Sequence, residues 1–232
     1  MAERPIFIPA TETKQLVREI YFDLKWNPGF AEVQKKKNIK ALHEAAAEGG
    51  YSPLLEISSK SETKLGRHLS AFHLKVKDDK GREMRLEAAF QGSKVFENGG
   101  PFTDLYGAEG KDAKRDPRLQ QSGRLTGFRF SGYSFPLEPK TIFYDWIYVT
   151  AIYPHREWLR DNVLSYAGFT DIEFNPAKSI NCQARSCALF VSLMRNERLE
   201  ESVFSPEAFI KVISHYDYHP SLRGKGSQSA LF

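Results

Sequence analysis

Glu87, Gln91 and Lys94 lie in the stretch LEAAFQGSK, a carboxylate, an amide and an amine at positions i, i+4 and i+7. At about 100° per residue, Gln91 and Lys94 fall within about 40° of Glu87, so a helix through this stretch predicts one shared polar face. Between them lie small or apolar residues, Ala88, Ala89, Phe90 and Gly92. A carboxylate and an amine in one concave site can transfer protons. Alternatively, the amine attacks a carbon at the carbonyl oxidation level while the carboxylate moves protons. The same pattern also suits a solvated helix face with an acid and a base two turns apart, too far for an ordinary i,i+4 pair.

The elements that must position these residues follow from the pattern around them. The segment LSAFHLKVK (69–77) alternates like a strand, Asp78-Asp79-Lys80-Gly81 reads as a turn, and REMRLE reads as the hairpin partner that feeds the chain into the Glu87 helix. Upstream, 30–48 reads as a helix with Ile39, Leu42, Ala45 and Ala46 at helical spacing and Gly49-Gly50 as its stop, followed by a strand in LLEISS (54–59). Downstream come a polar, glycine-bearing stretch (98–124), a β segment in GFRFSGYSFPL and an apolar run in TIFYDWIYVTAIY that favours helix. Helices are expected near 155–167, 179–200 and 205–216, the last opened by Ser205-Pro206-Glu207 as cap, first-turn proline and early acid. The reading is an α+β protein, mainly helical with short strands, in a single compact domain over 1–222 with a flexible tail at 223–232.

Composition limits the function classes. A chain of 232 residues, 41% hydrophobic and 27% charged, with 17 Phe and 10 Tyr, can bury a large core. The net charge of +4 concentrates in QKKKNIK and GKDAKRDPR, which suits an anionic partner or a solvated helix face. Cys182 and Cys187 match neither zinc nor redox spacing and read as buried thiols of a reducing compartment. The amino terminus lacks a signal-peptide pattern and no apolar run reaches the ~18 residues of a membrane span, so a cytoplasmic protein with no membrane contact is expected. No metal-ligand cluster, Walker loop or dinucleotide fingerprint is visible, and no metal or other cofactor is expected.

LSAF (69–72) followed by EAAFQGSK (87–94) resembles the NADAR (NAD- and ADP-ribose-associated) family, whose members typically read LSNF and then E-h-x-x-Q-x-x-K. GKDAKRDPRL is similar to the segment carrying A-x-x-x-G-R in that family, and Asp145-Trp146 to its D-W dipeptide. The chain departs from the pattern where AF replaces NF, where Ala88 follows the glutamate in place of His, and in a longer insertion after Lys94. With LEISSKS, FTDIEFNP and SINCQARS, these features resemble the branch of NADAR antitoxins encoded beside DarT toxins. The resemblance implies an ADP-ribosyl hydrolase that removes ADP-ribose from guanine bases in DNA, releasing free ADP-ribose and opposing a DarT-type toxin. It implies that Lys94 captures the anomeric carbon as a ring-opened imine while Glu87 transfers protons. That needs a partly neutral lysine near pH 7, a state that burial promotes and the neighbouring carboxylate opposes.

Further substrate contacts are expected from several groups. Phe72, Phe102, Tyr106, Phe128 and Trp146 are aromatic candidates, with core packing the competing role of each. Gly99 and Gly100 are placed to let backbone amides approach a pyrophosphate, or to form a plain turn. Asp104 and Asp145 are expected to accept from ribose hydroxyls, and Arg115 to hold a phosphate. Gln91, Ser70 and the strand-end group Ser58, Ser59 and Lys60 complete the set. Asn175, Asn181, Gln183 and Arg185 either cap a helix or read a guanine edge. A glycosidase acting on a riboflavin-pathway intermediate or other small metabolite, and a non-catalytic antitoxin that binds ADP-ribose or the toxin, are the competing functions.

Overall fold

The computed structural model describes residues 1–11 and 14–217; the expected tail at 223–232 lies outside the described residues. The chain opens with a hairpin that the sequence reading did not anticipate, β1 (Ala2–Pro9) against β2 (Val17–Leu24), paired antiparallel from Ala2 opposite Leu24 to Pro9 opposite Val17. Its inner strand reads PIFIP and is buried throughout, so the two-residue alternation of a half-buried strand is absent. α1 (Glu32–Glu48) follows, then β3 (Leu54–Glu56). With β9 (Gly168–Thr170) these strands make a sheet in the order β2-β1-β9-β3, β9 running antiparallel to β1 and parallel to β3. Ile39, Leu42 and Ala46 of α1 lie on one stripe, and Leu42 and Ala46 close a small core with Ile6, Ile8, Leu24 and Leu54.

The segment expected as a strand over 69–77 is mostly not one. α2 (Lys64–His68), capped by Thr63 Oγ1 accepting from Gly66 N at 3.0 Å, leads into turns in which His73 N and Leu74 N both donate to Ser70 O. Only β4 (Lys75–Lys77) pairs, with β5 (Glu83–Arg85). Side chains from distant helices replace the missing ladder: Ala71 N donates to Gln183 Oε1 at 2.8 Å, and Tyr148 Oη donates to Leu69 O at 2.7 Å. Backbone groups satisfied in this way have no need of a partner strand.

α3 (Leu86–Gly92) is buried along its whole length and ends before Ser93. Lys94 therefore stands on the next element, β6 (Lys94–Phe96), and the single helical face expected for all three polar groups is corrected to a helix holding Glu87 and Gln91 and a strand holding Lys94. Between β6 and β7 (Leu125–Phe130), the polar stretch folds into a 3₁₀ turn at Thr103–Gly107, α4 (Gly110–Lys114) and α5 (Arg118–Gln121). β7 turns through Ser131 and Gly132, both at positive φ, into β8 (Tyr133–Phe135), giving a sheet of order β6-β7-β8.

α6 (Ile142–Ile152) is buried nearly all round, which explains its almost continuous apolar run. It lies beside α8 (Gln183–Arg195) at the centre of the main core. The helix expected over 155–167 is the shorter α7 (Arg156–Val163). That expected over 179–200 is divided: turns organised by Asn175 precede α8, and Glu197 at positive φ separates it from α9 (Leu199–Val203). α10 (Pro206–Ser214) begins as expected, with Ser205 Oγ accepting from Ala208 N at 3.1 Å.

α6 and α8 are joined by a buried ion pair, Arg185 Nη1 to Asp145 Oδ2 at 2.9 Å, with Arg185 Nε 3.4 Å from Glu19 Oε1. Thr141 Oγ1 donates to Asp145 Oδ2 at 2.7 Å and Ser186 Oγ donates to Oδ1. Removing one partner of a buried pair strands the other charge, which costs ~3–5 kcal/mol. Asp145→Ala is expected to lower unfolding stability by an amount in that range, read as a shift in the urea midpoint at unchanged m-value.

Candidate active site

Lys94 is 1% exposed although it carries an amine. Its Nζ lies 5.2 Å from the Phe90 ring centroid, and Phe90 is stacked on Phe128 and Phe143 and met edge-on by Tyr144. The strand holding Lys94 is fixed from both sides. Lys94 pairs opposite Phe128 on β7, and Phe96 N donates to Gly99 O at 2.7 Å. Gly100, at φ +84°, passes so close that a Cβ there would sit 2.2 Å from the Lys94 carbonyl oxygen. Gly99 and Gly100 thus back the lysine strand, and the lining of the adjoining cavity does not include them.

Burial lowers the Lys94 pKa from 10.5 to about 8; Glu87 opposes this by attracting the charged form, and Lys114 adds to it by repulsion. The opposition between burial and ion pairing is decided by magnitude. Removing a compact, strongly hydrated ammonium from water outweighs one neighbouring carboxylate.

Glu87 is 6% exposed in the first turn of α3, and Gln91 Nε2 donates to its Oε1 at 2.9 Å, one helical turn away. Gly110 at the start of α4 packs on it: a Cβ there would lie 2.9 Å from Glu87 Cβ and 3.3 Å from Phe72 Cδ1. Only a residue without a side chain lets α4 approach this closely. That approach also brings Lys114 to the site.

Glu87 and Gln91 border a cavity of about 280 Å³. Phe72, Phe90, Tyr144 and Phe174 give it aromatic walls; Lys114 and Lys178 bring positive charge; Asn175, Ser179, Asn181 and Gln183 add hydrogen-bonding groups. Asp171 completes one side, its carboxyl held well above the usual range by burial and by the neighbouring Glu56. Two buried oxygens here, Asn181 Oδ1 at the cavity and Ser70 Oγ one residue before its wall, have no hydrogen-bond partner among the described residues. Such groups are costly to leave unmade and mark places where a ligand or water completes the network.

Other expected contacts are placed elsewhere. Asp145 and Arg185 are engaged with each other as described, so both carboxylate oxygens of Asp145 already accept bonds. Trp146 points away from the cavity into the cluster of Phe130, Phe135 and Phe143. Asp104 is on the surface, 2.6 Å from Arg118, whose guanidinium covers the Phe102 ring at 4.6 Å. Tyr106 Oη is 3.1 Å from Ser93 Oγ. Ser58 is buried and accepts from Lys60 N, while Ser59 and Lys60 are partly exposed beyond β3. Arg115 is exposed at the end of α4, and the neighbouring Lys114 is the residue that lines the cavity. Sequence reasoning missed Lys114, Tyr144, Asp171, Phe174 and Lys178. Lys114 and Tyr144 each precede an expected residue by one position, and helix phase decides which of the two faces inward.

A central helical layer flanked by small sheets, with a carboxylate and an amide lining one cavity and a buried lysine, itself not part of the lining, against the Phe90 ring of the cavity wall, defines an α+β protein built around an ionisable polar site. The chain belongs to the family of DarT1-associated NADAR antitoxins, whose model matches residues 2–222. No curated protein matches the chain. Among the described residues, no helix is long and apolar enough to cross a membrane.

Keeping an ammonium buried costs stability wherever it is charged. The gap between 10.5 and about 8 corresponds to ~3 kcal/mol. The native state binds fewer protons than the unfolded chain between those values, so the full cost is present below pH 8 and is relieved as pH rises to about 10.5. Lys94→Met is expected to raise the melting temperature at pH 7, by an amount that shrinks when melting is measured towards pH 10. A melting temperature that falls at pH 7 would contradict this balance.

Proposed function

We propose that the protein is an ADP-ribosyl hydrolase that removes ADP-ribose from guanine bases in DNA, acting in the cytoplasm as antitoxin to a DarT-type ADP-ribosyltransferase. The observation that carries this reading is a buried lysine with its pKa lowered to about 8, next to Glu87, beneath a cavity with aromatic walls and two lysines.

The bond to be broken joins the anomeric carbon of the distal ribose to a guanine nitrogen. Neutral Lys94 attacks that carbon; the carbon–nitrogen bond breaks and its electron pair goes to the base, and the Glu87 carboxylate passes the base a proton from the newly formed lysine ammonium. The ribose ring then opens as the lysine nitrogen forms an imine with the anomeric carbon, its remaining proton moving to the ring oxygen, which leaves as a hydroxyl. Water adds to the imine as Glu87 shuttles a water proton to the nitrogen, and the carbinolamine collapses to the aldehyde of ADP-ribose, its hydroxyl proton passing to Lys94 as it departs as an amine. The products are free ADP-ribose and unmodified guanine.

Gln91 positions the Glu87 carboxylate through its 2.9 Å bond. Lys114 and Lys178 neutralise the pyrophosphate, and the exposed Arg115 extends that charge outward. Phe72 and Phe174 stack on a planar ring, and Asn181 Oδ1 and Ser70 Oγ bond to ribose hydroxyls or the guanine edge.

The test is release of free ADP-ribose from an oligonucleotide carrying ADP-ribosyl-guanine, with a thymine-linked adduct as control. Wild type is expected to clear only the guanine adduct; Lys94→Ala and Glu87→Gln, both folded, are expected to lose at least ~10²-fold in rate. Borohydride should trap a covalent adduct with wild type and not with Lys94→Ala. Binding without ADP-ribose release would support a non-catalytic antitoxin, and release only from small glycosides would support a metabolite glycosidase.

The pH profile tests the role of the lysine separately. About a tenth of Lys94 is neutral at pH 7 and about half at pH 8, given a pKa of about 8. Single-turnover rate is therefore expected to rise roughly tenfold per pH unit below that value and to level off above it. A rise that continues towards pH 10.5 would mean that the attacking amine is not the buried one.

A further inference from the structure

A second and larger cleft, of about 950 Å³, lies on the other side of the 69–74 segment. Ala71 and Phe72 face the Glu87 cavity, whereas Leu69, His73 and Leu74 face this cleft. Its floor is α6, from which Trp146 and Thr150, one turn apart, contribute to the lining. Trp146 is 7% exposed, and neither its Nε1 nor Thr150 Oγ1 has a hydrogen-bond partner among the described residues. Both are poised to donate to an acceptor brought by a ligand, since buried donors left unpaired are otherwise a net cost.

The mouth differs from the floor. Trp158 on α7 presents a ring that is 52% exposed, an unusual position for so large an apolar surface. Also at the lining, β4 turns Lys75 and Lys77 to solvent. The lining carboxylate, Glu83, is taken by Lys75 at 2.5 Å, which leaves Lys77 as surplus positive charge. A stacking ring, a cationic edge and inward donors together suit an aromatic heterocycle with carbonyl or ring-nitrogen acceptors on an anionic backbone. Every nucleobase has those acceptors and a π face.

We propose that this cleft binds an unpaired nucleotide of the DNA strand that carries the adduct, with a base stacked on Trp158 and directed towards Trp146 and Thr150. The inference rests on the DNA-directed reading above for its biological sense. Its binding test does not depend on catalysis.

The experiment measures anisotropy of a labelled, unmodified single-stranded oligonucleotide titrated with the full chain across a range of salt concentrations. Trp158→Ala, at a half-exposed position, is expected to weaken binding about tenfold. Lys77→Gln is expected to reduce the slope of log affinity against log salt by roughly 0.7. On a substrate, Trp158→Ala should raise KM for the guanine adduct within an oligonucleotide and leave ADP-ribosyl-guanosine turnover unchanged. Loss of hydrolysis with retained, Trp158-dependent strand binding would overturn the catalytic reading alone. Failure of the unmodified strand to bind, or binding equally strong in wild type, Trp158→Ala and Lys77→Gln, would overturn this proposal and leave an apolar protein partner as the occupant to seek.

Discussion

The constraint on which the molecule is organised is the cost of holding an amine in an apolar interior. Lys94 is nearly inaccessible beside the Phe90 ring, and the attraction of Glu87 does not offset its loss of water. A flexible four-carbon stem on a mobile surface would restore hydration at once. The surroundings must therefore be rigid enough to deny it that escape, and the aromatic cluster, the paired strand and the glycine contacts all serve this end.

Rigidity is supplied in layers. Phe90, Phe128 and Phe143 stack around the lysine, with Phe135 tilted against Phe143. Behind them α6 is tied to α8 by the Asp145–Arg185 pair, and Tyr148 and Gln183 hold the 69–74 segment by its backbone. Gln183 also lines the cavity, whereas Asp145, Arg185 and Tyr148 lie beyond its wall and fix its shape, as outer partners orient the ligands of a metal site. Of these helices α6 presents Tyr144 to one cleft and Trp146 to the other, so one central helix serves both faces.

What the sequence made legible follows from this arrangement. Glu87, Gln91 and Lys94 were found together because their types are out of place among small apolar neighbours, and the capped α10 and the stripe of α1 were found by local signals. The split after Gly92 was not visible, because the 3.6-residue period continues formally through Ser93 to Lys94. Alternation over 69–77 misled for the complementary reason. Bonds from Tyr148 and Gln183, distant in sequence, hold the backbone in turns that no local pattern encodes. The β1 strand escaped notice because a strand buried on both faces loses its period.

Adjacent positions on a helix carry a mechanical lesson. Arg115 and Asp145 are expected from the right segments, and their immediate neighbours Lys114 and Tyr144 line the Glu87 cavity. On a helix, successive residues differ by about 100°, so neighbours of similar chemistry face different surroundings. A motif locates the element, but only the phase of that element against its partners selects the side chain. Here the phase of α4 is set by the close contact of Gly110 with Glu87, and that of α6 by burial on nearly every side. Residues without chemistry of their own thus decide which lysine reaches Lys94, and through its repulsion they adjust the protonation of the amine that the site is built around.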